Sequence, residues 1–65
     1  MYGILAEKAG YRLLMKVCFS AAGYYIGTLD DNGFPISRES VECFDSSQDA
    51  EWALNNGQFT QRNNP

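Results

Sequence analysis

The chain contains no histidine. That single absence removes His-ligated zinc sites, Ser–His–Asp triads and Cys–His dyads. Cysteine is almost as scarce. Cys18 and Cys43 stand far apart with no CxxC spacing, which excludes a zinc or thioredoxin-like motif. Each falls in a predicted strand, so one disulfide is possible if the strands are neighbours; two buried free thiols are the favoured reading. No run approaches the roughly 20 apolar residues of a membrane span. The longest candidate, Leu13–Phe19, is interrupted by Lys16 and lacks the small-residue cleavage site of a signal peptide. Lys16 also stands where a lipoprotein signal needs a small residue. A cytoplasmic protein with no membrane partner is expected.

Positive charge is also in short supply. Five Lys and Arg face eight Asp and Glu, for a net charge of −3 across 65 residues. Direct nucleic-acid binding needs cations that displace phosphate counterions, so it is disfavoured. A chain of this length forms one small domain, residues 1–65, and buries only about 60% of its unfolded surface. Its composition, 45% hydrophobic and 20% charged, is that of an ordinary globular chain.

The pattern along the chain predicts an α+β fold: a three-stranded antiparallel sheet with a C-terminal helix packed on one face. Tyr11, Leu13, Met15, Val17 and Phe19 alternate with Arg12, Leu14, Lys16, Cys18 and Ser20, the period of a half-buried strand. Tyr24–Leu29 has the aromatic and β-branched content of a second strand, with Gly27 marking a bulge or a close backbone approach. Asp30-Asp31-Asn32-Gly33 predicts a tight hairpin turn, Asn-Gly tolerating positive φ at both positions. Phe34–Phe44 supplies the third strand, with Pro35 near its start. A helix follows, with Ser46 or Ser47 as N-cap, Asp49 in a loose capping box, an Ala50–Ala53–Leu54 stripe and Gly57 as the stop. Residues 1–10 fit a short helix ended by Gly10 or an extension of the first strand, the helix being preferred. Trp52, Phe19, Phe44, Ile26 and Leu54 are the expected core, Phe59 folds back on the sheet, and residues 61–65 form a frayed tail. Of Tyr24 and Tyr25, adjacent on one strand, one should be exposed.

Charge is unevenly spread. Lys8, Arg12 and Lys16 face only Glu7 in the first 20 residues. Asp30, Asp31, Glu39, Glu42, Asp45, Asp49 and Glu51 face only Arg38 between positions 30 and 51. On a body about 11 Å in radius of gyration, such a group creates a strong local field if it is contiguous. Each carboxylate also has a plain explanation. Asp30 and Asp31 suit a turn, Asp45, Asp49 and Glu51 suit a helix start, and Glu39 and Glu42 suit the solvent face of an edge strand. The turn and the helix start lie at opposite ends of the sheet, so Glu39 and Glu42 must bridge them for one continuous patch.

No chemistry emerges from these residues. The Asp30–Gly33 segment lacks the alternating ligands and closing Glu of a calcium loop, and no metal or other cofactor is expected. Ser37-Arg38-Glu39-Ser40 holds hydroxyls without a general base to activate one. An enzyme is not expected. Binding is: a row of carboxylates suits a protein surface built for phosphates, with an exposed Tyr24 or Tyr25 (Tyr25 preferred) as aromatic anchor, joined by Trp52 if that side chain is only partly buried.

Residues 24–62 resemble small proteins of phages and mobile elements. The likeness lies in Tyr24-Tyr25-Ile26-Gly27-Thr28, Gly33-Phe34-Pro35-Ile36-Ser37-Arg38-Glu39-Ser40, and Ala50-Glu51-Trp52-Ala53-Leu54 before Gly57. Small size, acidity and missing catalytic groups are together similar in type to the phage-encoded anti-CRISPR proteins. That resemblance implies a non-enzymatic inhibitor, a DNA mimic that occupies the basic, nucleic-acid-binding surface of a host defence protein. The partner-binding residues would be Asp30, Asp31, Glu39, Glu42, Asp45, Asp49, Glu51 and Tyr25, on a monomer. The alternative is a structural or regulatory phage protein acting through a tyrosine-bearing sheet face or by strand-edge dimerisation.

Overall fold

A computed structural model describes residues 1–64. The elements run α1 (Ile4–Lys8), β1 (Lys16–Ser20), β2 (Gly23–Leu29), β3 (Pro35–Arg38) and α2 (Ser47–Asn56). The strands form one antiparallel sheet in the order β1-β2-β3, and the fold is α+β as expected. Among the described residues no helix is long and apolar enough to cross a membrane.

β1 begins five residues later than its alternation suggested. Its predecessors spend their hydrogen bonds elsewhere: Gly3 N–H donates to the Leu13 carbonyl (2.9 Å) and Met15 N–H to the Met1 carbonyl (2.8 Å). The extreme N-terminus thus claims residues 13–15, and the ladder to β2 starts at Lys16, opposite Gly27. Side-chain alternation survives within the strand. Val17 faces the same side as its partner Ile26, and Cys18 the same side as Tyr25.

β3 is much shorter than Phe34–Phe44. After Arg38 the Glu39 and Ser40 N–H groups both donate to the Ile26 carbonyl (2.9 and 3.0 Å), two residues opposing one, as in a bulge. The Ser40 hydroxyl accepts the Ile26 N–H (3.0 Å) in place of a backbone carbonyl. That substitution lets residues 41–43 leave the ladder before Phe44 returns to pair with Tyr24. The β2–β3 connection also departs from a two-residue hairpin. Only Gly33 is left-handed there (φ 83°), no non-glycine residue among those described having positive φ. Instead Asp30 Oδ1 accepts the N–H groups of Asn32 and Phe34 (2.9 Å each), so the aspartate organises the turn.

α2 starts and stops where its sequence signals stand. Ser46 Oγ accepts the Asp49 N–H at 3.1 Å, and Gly57 closes the helix in the left-handed conformation. Its buried residues are Ala50 and Ala53. These small side chains bring α2 close to Met15 and Ile26, and Phe44, Leu54 and Phe59 fill the margins. Phe59 folds back as expected, but two expected core aromatics do not join it. Trp52 is 60% exposed and Phe19 72% exposed. Trp52 stands one position off the Ala50–Ala53 stripe, and Phe19 meets Tyr24 at a tilt of 57°, centroids 5.0 Å apart.

α2 packs against β1 and β2, whereas α1 packs against β3. Gly3, Thr28, Ser37 and Glu39 meet beneath it. The tail is not frayed at its start: Gln61 pairs with Ser40, and Arg62 N–H donates to the Glu39 carbonyl at 2.7 Å. Of the expected frayed segment, residue 65 lies outside the described residues.

Candidate binding surface

Glu39 is the largest departure from expectation. It was expected to coat an edge strand and carry an acidic patch; it is wholly buried. Its carboxylate accepts from Leu5 N–H (3.1 Å), Ala6 N–H (3.1 Å), Ser37 Oγ (2.5 Å) and Gln61 Nε2 (2.8 Å). Burial pushes its carboxyl upward, but the Ser37, Leu5, Gln61 and Ala6 donors outweigh that and hold it below the usual carboxylate value. A carboxylate held by four internal donors has no lone pair to spare for a partner protein.

Tyr25 also leaves the surface, at 7% exposure. The Arg38 guanidinium lies 4.9 Å from its ring centroid and reaches on to the Cys43 thiol. A Cβ on Gly27 would come within 2.7 Å of the Tyr25 ring, so the ring lies down along β2 instead of projecting. Arg38, the one cation among the carboxylates of positions 30 to 51, thus caps an aromatic ring.

The other carboxylates separate into two groups. Asp30 and Asp31 line a groove of about 530 Å³ together with Arg12, Lys16, Tyr2, Leu14 and Leu29. Arg12 stacks over the Tyr2 ring at 4.7 Å. The anions of the turn therefore share their surroundings with N-terminal cations. Asp45, Asp49 and Glu51 are exposed at the start of α2, beyond Phe44, which pairs with Tyr24 at the far end of β2. About 20 Å of strand separates the two groups. Glu42 does not bridge them, since its carboxylate accepts the Thr60 N–H (2.9 and 3.0 Å) and pins the returning tail. Among the described residues, therefore, neither Glu39 nor Glu42 supplies the bridge that one continuous acidic patch requires.

One acidic surface remains, at α2. The helix carries Asp49 and Glu51 with no lysine or arginine along Ser47–Asn56, and Asp45 immediately precedes its cap. Trp52 stands on the same helix, exposed. Trp52 was expected in the core, and as an anchor only if partly buried; its exposure meets that second condition. Its offset from the Ala50–Ala53 spacing was the available signal. Among the described residues no group of three or more His, Cys, Asp or Glu side chains gathers in metal-binding reach.

No family model, curated protein or solved structure matches this chain.

Proposed function

We propose that this chain is a non-enzymatic binding protein whose α2 face docks on a basic surface of a host protein. The supporting observation is Trp52, 60% exposed on a cation-free helix beside Asp49 and Glu51. An exposed tryptophan costs the isolated protein apolar hydration, and burying it against a partner recovers that energy. The carboxylates around it steer a cationic surface into register. A nucleic-acid-binding site is a cationic surface of this kind. Seating α2 on it blocks the nucleic acid by occupancy, which is the inhibitory part of the proposal. Compared with the sequence reading, Asp45, Asp49 and Glu51 keep their role, Trp52 replaces Tyr25 as the anchor, and Glu39 has none.

A second reading, dimerisation along a strand edge, is favoured by Phe19. This residue lies 72% exposed on β1, an outer strand of the sheet.

Charge reversal on α2 separates the two. Asp49→Lys with Glu51→Lys abolishes partner capture in the docking reading, whereas Asp31→Lys, at the opposite end of the sheet, leaves it. Captured partner is also released by double-stranded DNA and by raised salt. Capture that survives the α2 reversal and is insensitive to salt overturns the docking reading. Concentration-dependent self-association lost in Phe19→Ser supports the alternative.

A further inference from the structure

The buried Glu39 carboxylate is shared between the two ends of the chain. Oε1 accepts from Leu5 N–H (3.1 Å) and from Gln61 Nε2 (2.8 Å). Oε2 accepts from Ala6 N–H (3.1 Å) and from Ser37 Oγ (2.5 Å), whose oxygen also lies 2.6 Å from Thr28 Oγ1. Each oxygen thus joins α1 to one other segment. We infer that Glu39 is a latch coupling the ends of the chain: loosening the tail at Gln61 loosens α1, and loosening α1 loosens the tail.

α1 depends on this carboxylate more than an ordinary helix would. It has five residues, far below the length at which an isolated helix is stable. Its N-cap, Gly3, offers no side chain to the unpaired N–H groups of the first turn. Glu39, more than thirty positions away, takes two of them. The tail is attached at the same place, with Arg62 N–H on the Glu39 carbonyl (2.7 Å) and Val41 N–H on the Thr60 carbonyl (2.9 Å).

The four groups that hold the charge are all neutral. On α1, Glu7 and Lys8 are exposed and the helix presents backbone N–H groups. On β3, Arg38 points to the opposite sheet face over Tyr25, and the strand presents Ser37. β2 presents Thr28. The tail presents the Gln61 amide, Arg62 contributing its backbone N–H to the Glu39 carbonyl instead. Among the described residues the anion is held by oriented dipoles and by no counter-ion. Its orientation therefore depends on every donor, and a donor withdrawn from one segment is felt by the rest. Protonation has the same effect by another route, because a carboxylic acid turns an O–H toward groups that are themselves donors.

Amide hydrogen exchange on the 65-residue chain tests the coupling, with the Ala53 amide of α2 as internal reference. In Gln61→Ala, Leu5 and Ala6 should exchange about tenfold faster relative to Ala53, although Gln61 hydrogen-bonds to neither. In the unaltered chain, lowering the pH should release Leu5, Ala6 and Arg62 in one transition while Ala53 stays protected. The midpoint of that transition should rise in Gln61→Ala and in Ser37→Ala, each of which removes a donor that favours the charged form. An unchanged Leu5-to-Ala53 ratio in Gln61→Ala overturns the latch. So does release of α1 and the tail at separate pH values, or a midpoint that neither variant moves. Should Gln61→Ala unfold the whole chain, the pH series on the unaltered protein still decides between one transition and two.

Discussion

Gly3 runs so close to Glu39 that a Cβ built on it would stand 2.7 Å from Oε2, and 2.6 Å from Thr28 Cγ2. The N-terminal segment therefore lies directly on the carboxylate that caps α1, with no space for even a methyl group between them. Gly3→Ala must push the segment outward and lengthen the Leu5 and Ala6 hydrogen bonds together. The expected loss is about 1–3 kcal/mol, the range for overpacking a tight site. Urea unfolding measures it as a lower midpoint at unchanged slope. Gly10→Ala is the informative companion, since nothing beyond its chain neighbours lies within 4 Å of where a Cβ would stand. Its penalty comes from the positive φ of that glycine alone.

The same carboxylate sets the response to acid. Glu39 titrates below the usual carboxylate value of 4.5 in the folded chain. Glu42 is also lowered, burial opposing and the Thr60 N–H prevailing. A group whose folded value is depressed contributes stability that is complete above its unfolded value. That stability is lost as pH falls through the folded value. The urea midpoint should therefore be level near neutrality and fall below about pH 4.5. Glu39→Gln should lower the midpoint at pH 7 by the equivalent of about 1–3 kcal/mol and flatten the acid limb. Glu42→Gln should act weakly, because that carboxylate is half exposed and screened by water. A Glu39→Gln variant as stable as the parent at pH 7 would contradict the role given to this carboxylate.

Local signals in the sequence were followed where the physics is local. Ser46, Asp49 and Gly57 bound α2 as their cap chemistry dictates, and the aromatic, β-branched run at Tyr24–Leu29 forms β2. Departures occur where a distant segment competes for backbone groups. Residues 13–15 have strand periodicity but pair with Met1 and Gly3. Residues 39–43 have strand composition, but the Ser40 hydroxyl substitutes for a carbonyl and opens a bulge. The acidic surface was misjudged for the same reason. Nothing local distinguishes Glu39 from Glu42, or either from Asp45. What separates them is the arrival of α1 from the other end of the chain, which supplies Glu39 with donors that no sequence window contains. Hydrophobic identity misled in the opposite direction. The large aromatics Trp52 and Phe19 were assigned to a core that is in fact packed by Ala50, Ala53 and Met15.

Trp52 gives a spectroscopic test of that inversion. As the only tryptophan, 60% exposed, it should emit like indole in water, and iodide should quench it readily in the folded state. Unfolding should shift its emission little. Trp52→Ala should change stability by no more than about 0.5 kcal/mol, as for other surface positions, while weakening partner capture. Ala53→Leu should do the reverse, costing about 1–3 kcal/mol by overpacking against Ile26 and Met15. A blue-shifted, quencher-resistant emission in the monomer would place Trp52 in an interior and remove it as an anchor.

The two cysteines should behave oppositely toward thiol reagents. Cys18 lies on β1 beside Tyr25 and is buried, whereas Cys43 is exposed. Burial pushes the Cys18 thiol upward, and its lesser interactions with Tyr25, Lys16 and the Gly27 backbone do not offset this. It is thus poor in thiolate as well as sheltered. A disulfide between them is barred by topology. β2 separates the strand of Cys18 from the segment of Cys43, which returns to pair with Tyr24 at Phe44. Two strand spacings amount to about 9.5 Å, beyond the roughly 7 Å that a disulfide spans between Cα atoms. One equivalent of an aromatic disulfide reagent should therefore react promptly with the folded chain, and the second only at the rate of opening. Cys43→Ser should abolish the fast phase and Cys18→Ser the slow one. An intact mass two hydrogens lighter under mild oxidation, with no dimer formed, would show that the strands exchange neighbours.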